Sequence, residues 1–270
     1  YKPYLMKKQN TLVSILIINY NNEKFVSRAI NSCLTQNYKN IEILIHDDKS
    51  MDDSITQINK FKKNKKVKIL INKSKKRNIS SFDAMNGYLN LFKRAKGKII
   101  CLLDSDDFFH KSKIQSIVNY FEKNQNIEFV QNLPIIKYKK KSFYKMNKNS
   151  FFSFWPYLAP ESCISVRKNF MNNFIRKNRF VFQKYDLVWL GFRLGVYAYF
   201  IEKKFGCMEK NLTYYESLGE SKKYSFMNHN WLFRRKQSFE YLKKVSKKNI
   251  NKNLDYFLTK FFCSLLKIVD

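Results

Sequence analysis

The chain has 270 residues, 44% hydrophobic and 17% aromatic, and a formal net charge of +31. Length and apolar content support an enzyme-sized body with a large core and exclude a disordered chain. The charge points to nucleic acid, anionic lipid or an anionic substrate, yet the lysines are spread along the chain among abundant Asn and Ile, so a diffusely solvated basic surface explains it equally well.

Five cysteines (Cys33, Cys101, Cys163, Cys207, Cys263) form no C-x-x-C pair. This argues against a zinc site or a disulfide framework and for a reducing compartment. His46, His110 and His229 share no metal-ligand spacing, which leaves a His-built zinc hydrolase without support. No apolar run approaches the ~18 residues of a membrane span, and no signal peptide opens the sequence, so a soluble or peripheral protein is expected. The sequence starts at Tyr1, as an excerpt would, and Met6 before Lys7 and Lys8 is a candidate natural start.

In chain order, Leu12 to Asn19 reads as a buried strand and Glu23 to Gln36 as a helix. Ile41 to His46 is a second strand, Met51 to Lys63 a second helix, and Val67 to Ile71 a third strand. A helix from Ser80 to Ala95 stops at Gly97 as its C′ residue, and Lys98 to Leu103 forms a fourth strand. Alternating strands and helices of this kind predict an α/β fold with a largely parallel sheet.

The second half is less regular. It holds an apolar stretch from Ile127 to Ile136, a basic turn from Lys137 to Lys141, an aromatic segment from Phe151 to Tyr157, and a strand from Glu161 to Val166. Tyr185 to Tyr199 reads as helical at first, and two helices, Phe226 to Val245 and Leu254 to Val269, close the chain. No repeat or low-complexity linker marks a boundary.

Ligands of open α/β sheets sit at the carboxyl ends of the strands, and three polar clusters fall there. Asn19-Tyr20-Asn21-Asn22 follows the first strand, Asp47-Asp48-Lys49-Ser50 the second, and Asp104-Ser105-Asp106-Asp107 the fourth. Neither G-x-G-x-x-G nor G-x-x-x-x-G-K-[ST] is present, which excludes a dinucleotide fingerprint and a P-loop.

Three carboxylates in four residues repel one another unless a cation or donor groups neutralise them, and oxygen ligands suit Mg²⁺ or Mn²⁺. A solvated turn capping the helix near Lys113 is the competing reading. The Asp47-Asp48 pair has the chemistry to accept hydrogen bonds from a base or ribose, or to cap the helix that follows.

Taken in order, these segments resemble the family 2 inverting glycosyltransferases. The carriers are Val13 to Asn21, Ala29 to Asn37 (Ala-Ile-Asn-Ser-Cys-Leu-Thr-Gln-Asn), the acidic pair, Ser and Asp of Ile41 to Ser54, and Gly97 to Asp107 with its D-x-D-D. About the first 125 residues are covered; beyond Lys168 the likeness thins. The resemblance implies a GT-A fold of residues 1–225, with a nucleotide-sugar half at 11–125 and an acceptor half at 126–225, followed by a helical extension at 226–270. It also implies a UDP- or GDP-linked sugar donor and a glycan or lipid-linked acceptor. Tyr20 would stack near the base with Asn21 beside it, and Asp47 and Asp48 would serve base and ribose. Asp104 would approach ribose or metal, Asp106 would ligate metal, and Asp107 would support the pair. Where the family carries Ala-Arg-Asn, this chain has Ala84-Met85-Asn86; Asn86 stays on the donor side, and Arg77 is the candidate substitute for the missing Arg.

An inverting transfer needs a base for the acceptor hydroxyl, and a carboxylate suits it. The family's base precedes a helix with Trp, Leu and Arg; Asp186, before Leu187-Val188-Trp189-Leu190 and Arg193, matches, although Gln183-Lys184 replaces the usual Glu-Asp. Helix capping is the structural alternative for Asp186, and Glu161 is the second candidate base. Leu212 to Tyr215 and Trp231 to Arg235 also resemble the family, so His229, Arg234 and Arg235 are candidates to reach the diphosphate when the loop at Gly219 closes, with His229 a candidate metal ligand. A basic, solvated helix face is the competing reading. On the last helix, Leu254, Phe257, Leu258, Phe261, Phe262, Leu265 and Leu266 form an apolar stripe for which core packing is the default and contact with anionic membrane beside Lys260 and Lys267 the alternative.

The function expected is therefore metal-dependent sugar transfer in surface polysaccharide or lipopolysaccharide assembly, in the cytoplasm or peripheral on the inner membrane face. A basic nucleic-acid-binding module and a nucleotide-sugar binder without turnover are the alternatives. The acidic rim opposes the first, so no nucleic acid partner is expected.

Overall fold

The computed structural model describes residues 10–73, 79–136, 154–216, 223–224, 228–247, 250 and 253–266. The first half alternates β1 (Val13–Asn19), α1 (Val26–Leu34), β2 (Ile41–Asp47), α2 (Ser54–Asn59), β3 (Val67–Ile71), α3 (Ser80–Phe92) and β4 (Ile99–Asp104). Then come β5 (Phe108–Phe109), α4 (Lys113–Lys123), β6 (Phe129–Ile136), a 3₁₀ turn at Glu161–Cys163, β7 (Ile164–Arg167) and α5 (Lys168–Asn178). Helix α6 (Leu190–Val196) runs on as a π-helical turn, Tyr197–Glu202, before β8 (Phe205–Tyr215), α7 (His229–Ser246) and α8 (Leu254–Leu265).

These strands form one eight-stranded sheet in the order β3-β2-β1-β4-β7-β6-β8-β5. Strand β1 is parallel to both β2 and β4, whereas β7 is antiparallel to β4 and β6. In register, Asn19 lies opposite Asp47 and Ile18 opposite Asp104, so three polar strand ends finish flush at one edge.

Helices cover both faces, which is why the parallel strands are apolar without alternation. Val13, Ile15 and Ile17 of β1 pack with α1 and α4, while Leu16 packs with Leu44, Leu102 and the inner faces of α3 and α5. A third cluster joins Val188, Phe192 and Val196 to Phe239, Tyr241 and Leu242 of α7.

Several expected elements are different in the fold. Helix α2 is shorter than Met51 to Lys63. Helix α3 ends at Phe92, so Gly97 is not its C′ residue. A Cβ on Gly97 would lie 2.5 Å from the Ser14 nitrogen, and the Gly97 N–H donates to Ser14 Oγ at 2.8 Å. Glycine is thus required by close approach of the α3–β4 connection to β1. Glu161–Cys163 is a 3₁₀ turn, and the strand starts at Ile164. The segment after Tyr185 is not helical at first: Tyr185 has φ 58° and α6 begins at Leu190. Strands β5 and β8 were not expected, the first because it has only two residues. Lys137 to Lys141 lies outside the described residues.

Gly97→Ala should lower stability by about 1–3 kcal/mol, the usual cost of overpacking. Urea denaturation measures it, and an unchanged midpoint would refute the close approach.

Candidate active site

A cleft of about 950 Å³ opens at the flush strand ends. One side is lined by Asn19, Tyr20, Asn22, Asp48, Asp104 and Asp106, with Asp83, Ala84 and Gly87 of α3. Across from them stand Tyr157 to Glu161, Trp189, Tyr215, Lys223 and Arg234.

The loop after β2 is fastened by a side chain that does not line the cleft. Asp47 is fully buried; its Oδ2 accepts from Asn19 Nδ2 at 2.8 Å and from Ser50 Oγ at 2.7 Å, and its Oδ1 accepts from the Ser50 amide at 2.9 Å. Asn21 likewise braces the loop, with φ 49°, its amide donating to Ser50 Oγ at 2.9 Å and its Oδ1 accepting from Met51 N at 2.8 Å. These contacts aim Asp48 into the cleft, where Asn72 Nδ2 donates to its Oδ1 at 2.7 Å. Tyr20 stands exposed at the rim.

At the end of β4, each acidic side chain or its backbone is held separately. Asp104 Oδ1 accepts from the Tyr88 hydroxyl at 2.7 Å, and the Asp104 amide donates to Ser162 Oγ at 3.0 Å. Arg28 Nη2 donates to the Asp106 carbonyl at 2.7 Å and pairs with Glu216 Oε1 at 2.6 Å, while the Glu216 amide donates to Asp107 Oδ1 at 2.9 Å. Asp107 is fully buried beneath the cleft. Burial, reinforced by Asp106, pushes Asp104 up to about 7, against the Tyr88 hydrogen bond. Burial and the charges of Asp106 and Asp104 raise Asp107 well above the usual carboxylate range, and burial with Glu216 raises Asp106. This is the electrostatics of a group of carboxylates gathered without enough positive charge.

On the opposite wall, Glu161 Oε1 accepts from the Gly191 amide at 2.7 Å. Burial and then Asp104 push Glu161 up to about 8, opposed by the Gly191 amide and Arg234. Arg234 stacks over Trp189, its guanidinium carbon 5.0 Å from the ring centre.

The other expected residues fall elsewhere. Asp186 does not line the cleft: its Oδ1 accepts from Gln237 Nε2 at 3.2 Å and its carbonyl from Ser81 Oγ at 2.9 Å. Asn86 is also absent from the lining, and Met85 is core, packed with Phe82, Tyr88 and Leu91. Arg235 is bound to Asp255 of α8, and His229 is exposed at the start of α7 outside the lining. Arg77 and Gly219 lie outside the described residues.

Tyr88, Arg28, Glu216 and Ser162 were not anticipated. A Tyr on the apolar face of α3 needs a hydroxyl partner, and that was the available signal; Arg28 and Glu216 are far apart in sequence and gave none.

The fold is that of a GT-A glycosyltransferase. The profile of "Glycosyl transferase family 2" matches residues 14–195, and the chain belongs to that family.

The chain is 40% identical over 111 residues to an Escherichia coli protein named "UDP-Glc:alpha-D-GlcNAc-diphosphoundecaprenol beta-1,3-glucosyltransferase WfaP", covering 41% of each. It is 34% identical over 117 residues to an uncharacterized glycosyltransferase of Haemophilus influenzae, covering 43% of this chain and 34% of that one. The match spans only 34 to 41% of the length of these two relatives. Among solved structures, Staphylococcus aureus TarS 1-349 with UDP-GlcNAc superposes with a TM-score of 0.62 at 13% identity, over 94% of this chain and 71% of that chain. The mannosyltransferase PcManGT of Pyrobaculum calidifontis with GDP-Man and Mn²⁺ gives 0.59 at 8%, over 96% and 75%. At these identities the likeness is one of fold.

Lys113 lies under the site, fully buried, donating to the Ser162 carbonyl and, at 2.9 Å, to Thr213 Oγ1. Burial pushes its ammonium down to about 8 from 10.5. Between those values the unfolded chain binds more protons than the folded one, so the Lys113 contribution to stability rises with pH through that window. The stability of wild type minus that of Lys113→Met should therefore grow by roughly 3 kcal/mol from pH 8 to 10.5. Denaturation at a series of pH values reads this; a flat difference would contradict it.

Proposed function

We propose that this chain transfers a sugar, with inversion, from a nucleoside diphosphate to a glycan or lipid-linked acceptor in surface polysaccharide assembly. The observation that carries the reading is the convergence of Asp48, Asp104 and Asp106, from two strand ends, on one cleft. The relative WfaP is named as a UDP-Glc glucosyltransferase acting on a diphosphoundecaprenol-linked sugar, which supports this donor and acceptor class. TarS and PcManGT were solved with UDP-GlcNAc and GDP-Man, which supports a uridine or guanosine donor.

The donor atoms fit a hard divalent cation. They are oxygens only, their carboxyls are raised by burial and then by neighbouring carboxylates, and Asp107 Oδ2 is buried without a hydrogen-bond partner beside them. Among the described residues no group of three or more His, Cys, Asp or Glu suffices to hold a metal by itself. That pattern suits Mg²⁺ or Mn²⁺, which take one or two carboxylates and complete their shell with substrate phosphates and water. Asp104 and Asp106 would hold the cation, which when bound offsets charge developing on the departing diphosphate.

The remaining roles belong to the chain's own groups. Asp48, steadied by Asn72, accepts hydrogen bonds from base or ribose, and Tyr20 offers its ring at the rim. Arg234 is the cation facing the diphosphate from the acceptor wall. In transfer, the acceptor oxygen bonds to the anomeric carbon as the bond to the diphosphate oxygen breaks and the nucleoside diphosphate leaves with the electron pair. The acceptor proton goes to a carboxylate, and Glu161, which lines the cleft, is better situated for it than Asp186, which is engaged with Gln237 outside.

Asp106→Asn should reduce sugar transfer by about 10²-fold or more, the scale of lost charge stabilisation, with a melting temperature that is not lowered, since a raised carboxyl is neutralised. Glu161→Gln should cost about 10²–10⁴-fold in kcat, the range of general base catalysis, while Asp186→Asn stays within about tenfold. Initial-rate assays with a saturating acceptor decide: full turnover by Asp106→Asn would sink the reading, and the opposite ranking of the other two variants would return the base to Asp186.

A further inference from the structure

The apolar stripe of α8 is not core. Leu254, Phe257, Leu258, Phe261, Leu265 and Leu266 are between 41 and 65% exposed, and they make up six of the eleven exposed large hydrophobic residues among those described. At 100° per residue, the first five fall within an arc of about 100° on the helix. Tyr256, Thr259 and Cys263, on the other side, are the buried ones.

The helix is fixed in this orientation by specific contacts on that buried side. Arg235 of α7 pairs with Asp255, the Phe154 amide donates to Asp255 Oδ2 at 3.2 Å, and Cys263 Sγ donates to the Leu232 carbonyl at 3.6 Å. Its start is capped by Asn253, whose side chain accepts from the Tyr256 amide at 3.0 Å. The exposed stripe is therefore a built surface. Burying such residues in water-free surroundings is worth about 1.5–3 kcal/mol each, so leaving them hydrated is costly unless something covers them.

We propose that α8 docks the protein on an anionic lipid bilayer, lying in the interface plane with Phe257, Phe261 and Leu265 among the acyl chains. Charge complementarity selects this occupant. Lys243, Lys244, Lys247 and Lys260 are exposed on the same helix pair, the acidic Asp255 is already paired, and the whole chain carries +31. A second copy of so basic a protein would bring like charges together, whereas anionic headgroups attract them. At 12 residues α8 is too short to span, and no helix among the described residues is long and apolar enough to cross a membrane.

The docking also serves the site. Helix α7 presents Arg234 to the cleft and the neighbouring Arg235 to α8, so a bilayer beneath α8 lies one helix away from the acceptor wall. This last step rests on the lipid-linked acceptor proposed above; the docking itself does not.

Flotation of the full chain with vesicles tests it without any sugar donor or acceptor, so its outcome is independent of the transfer reading. Wild type should float with phosphatidylcholine vesicles containing phosphatidylglycerol and remain largely free with phosphatidylcholine alone. Phe257→Ser and Phe261→Ser should each weaken binding about tenfold, as loss of one buried aromatic predicts, with unaltered melting temperature and unaltered hydrolysis of nucleotide sugar. Raising the salt should weaken binding by screening the lysines. The proposal is overturned if wild type does not float with the anionic vesicles, or if both variants float as well as wild type. It is also overturned if light scattering shows a wild-type dimer that the two variants dissolve.

Discussion

Repulsion among Asp104, Asp106 and Asp107 is the constraint around which the cleft is arranged. Like charges this close, and this deep, cannot all ionise unaided, and burial raises all three carboxyls. The chain holds them in place with neutral donors and the Arg28 guanidinium. Tyr88 donates to Asp104, the Glu216 amide donates to Asp107, and Arg28 grips the Asp106 carbonyl instead of its carboxylate. The Asp106 side chain thus keeps its capacity to accept a further positive charge, as the proposed diphosphate site requires.

The sheet makes this possible by ending its strands together. Parallel pairing of β1 with β2 and β4 brings Asn19, Asp47 and Asp104 to one edge, and the crossover helices leave that edge open. Asp47 then spends both oxygens on Asn19 and Ser50 so that its neighbour Asp48 faces the cleft. Two adjacent aspartates of identical chemistry thereby take different roles: one shapes the loop, the other lines the site.

Much of the first half of the chain was legible in the sequence because its signals are local. Apolar runs such as Ile41 to Ile45 and the acidic turn after β4 specify strand and strand end within a few residues. The second half resisted because its order is set by distant partners. Arg193 is fully buried and donates to the carbonyls of Val181, Lys184, Tyr185 and Val188, which holds the turn before α6 out of helix where periodicity alone suggests one. Asp186 sits in that turn and faces Gln237, a residue 51 positions later, so its match to a motif did not reveal its direction. Glu161 was the second candidate base on the expectation of a strand there; it lies instead in a 3₁₀ turn and lines the cleft. The stripe of α8 was readable as a pattern, but which face it turned to its neighbours depended on Asp255 and Cys263 meeting α7.

Isothermal titration of UDP and GDP against the wild-type chain and Asp106→Asn, each with and without Mn²⁺, bears most directly on the central claim. If the strand-end carboxylates share a cation with a diphosphate, at least one nucleotide binds wild type at least tenfold more tightly with Mn²⁺, and the variant loses that gain. Nucleotide binding indifferent to Mn²⁺ in wild type, or a Mn²⁺ effect that survives loss of the Asp106 charge, would contradict it.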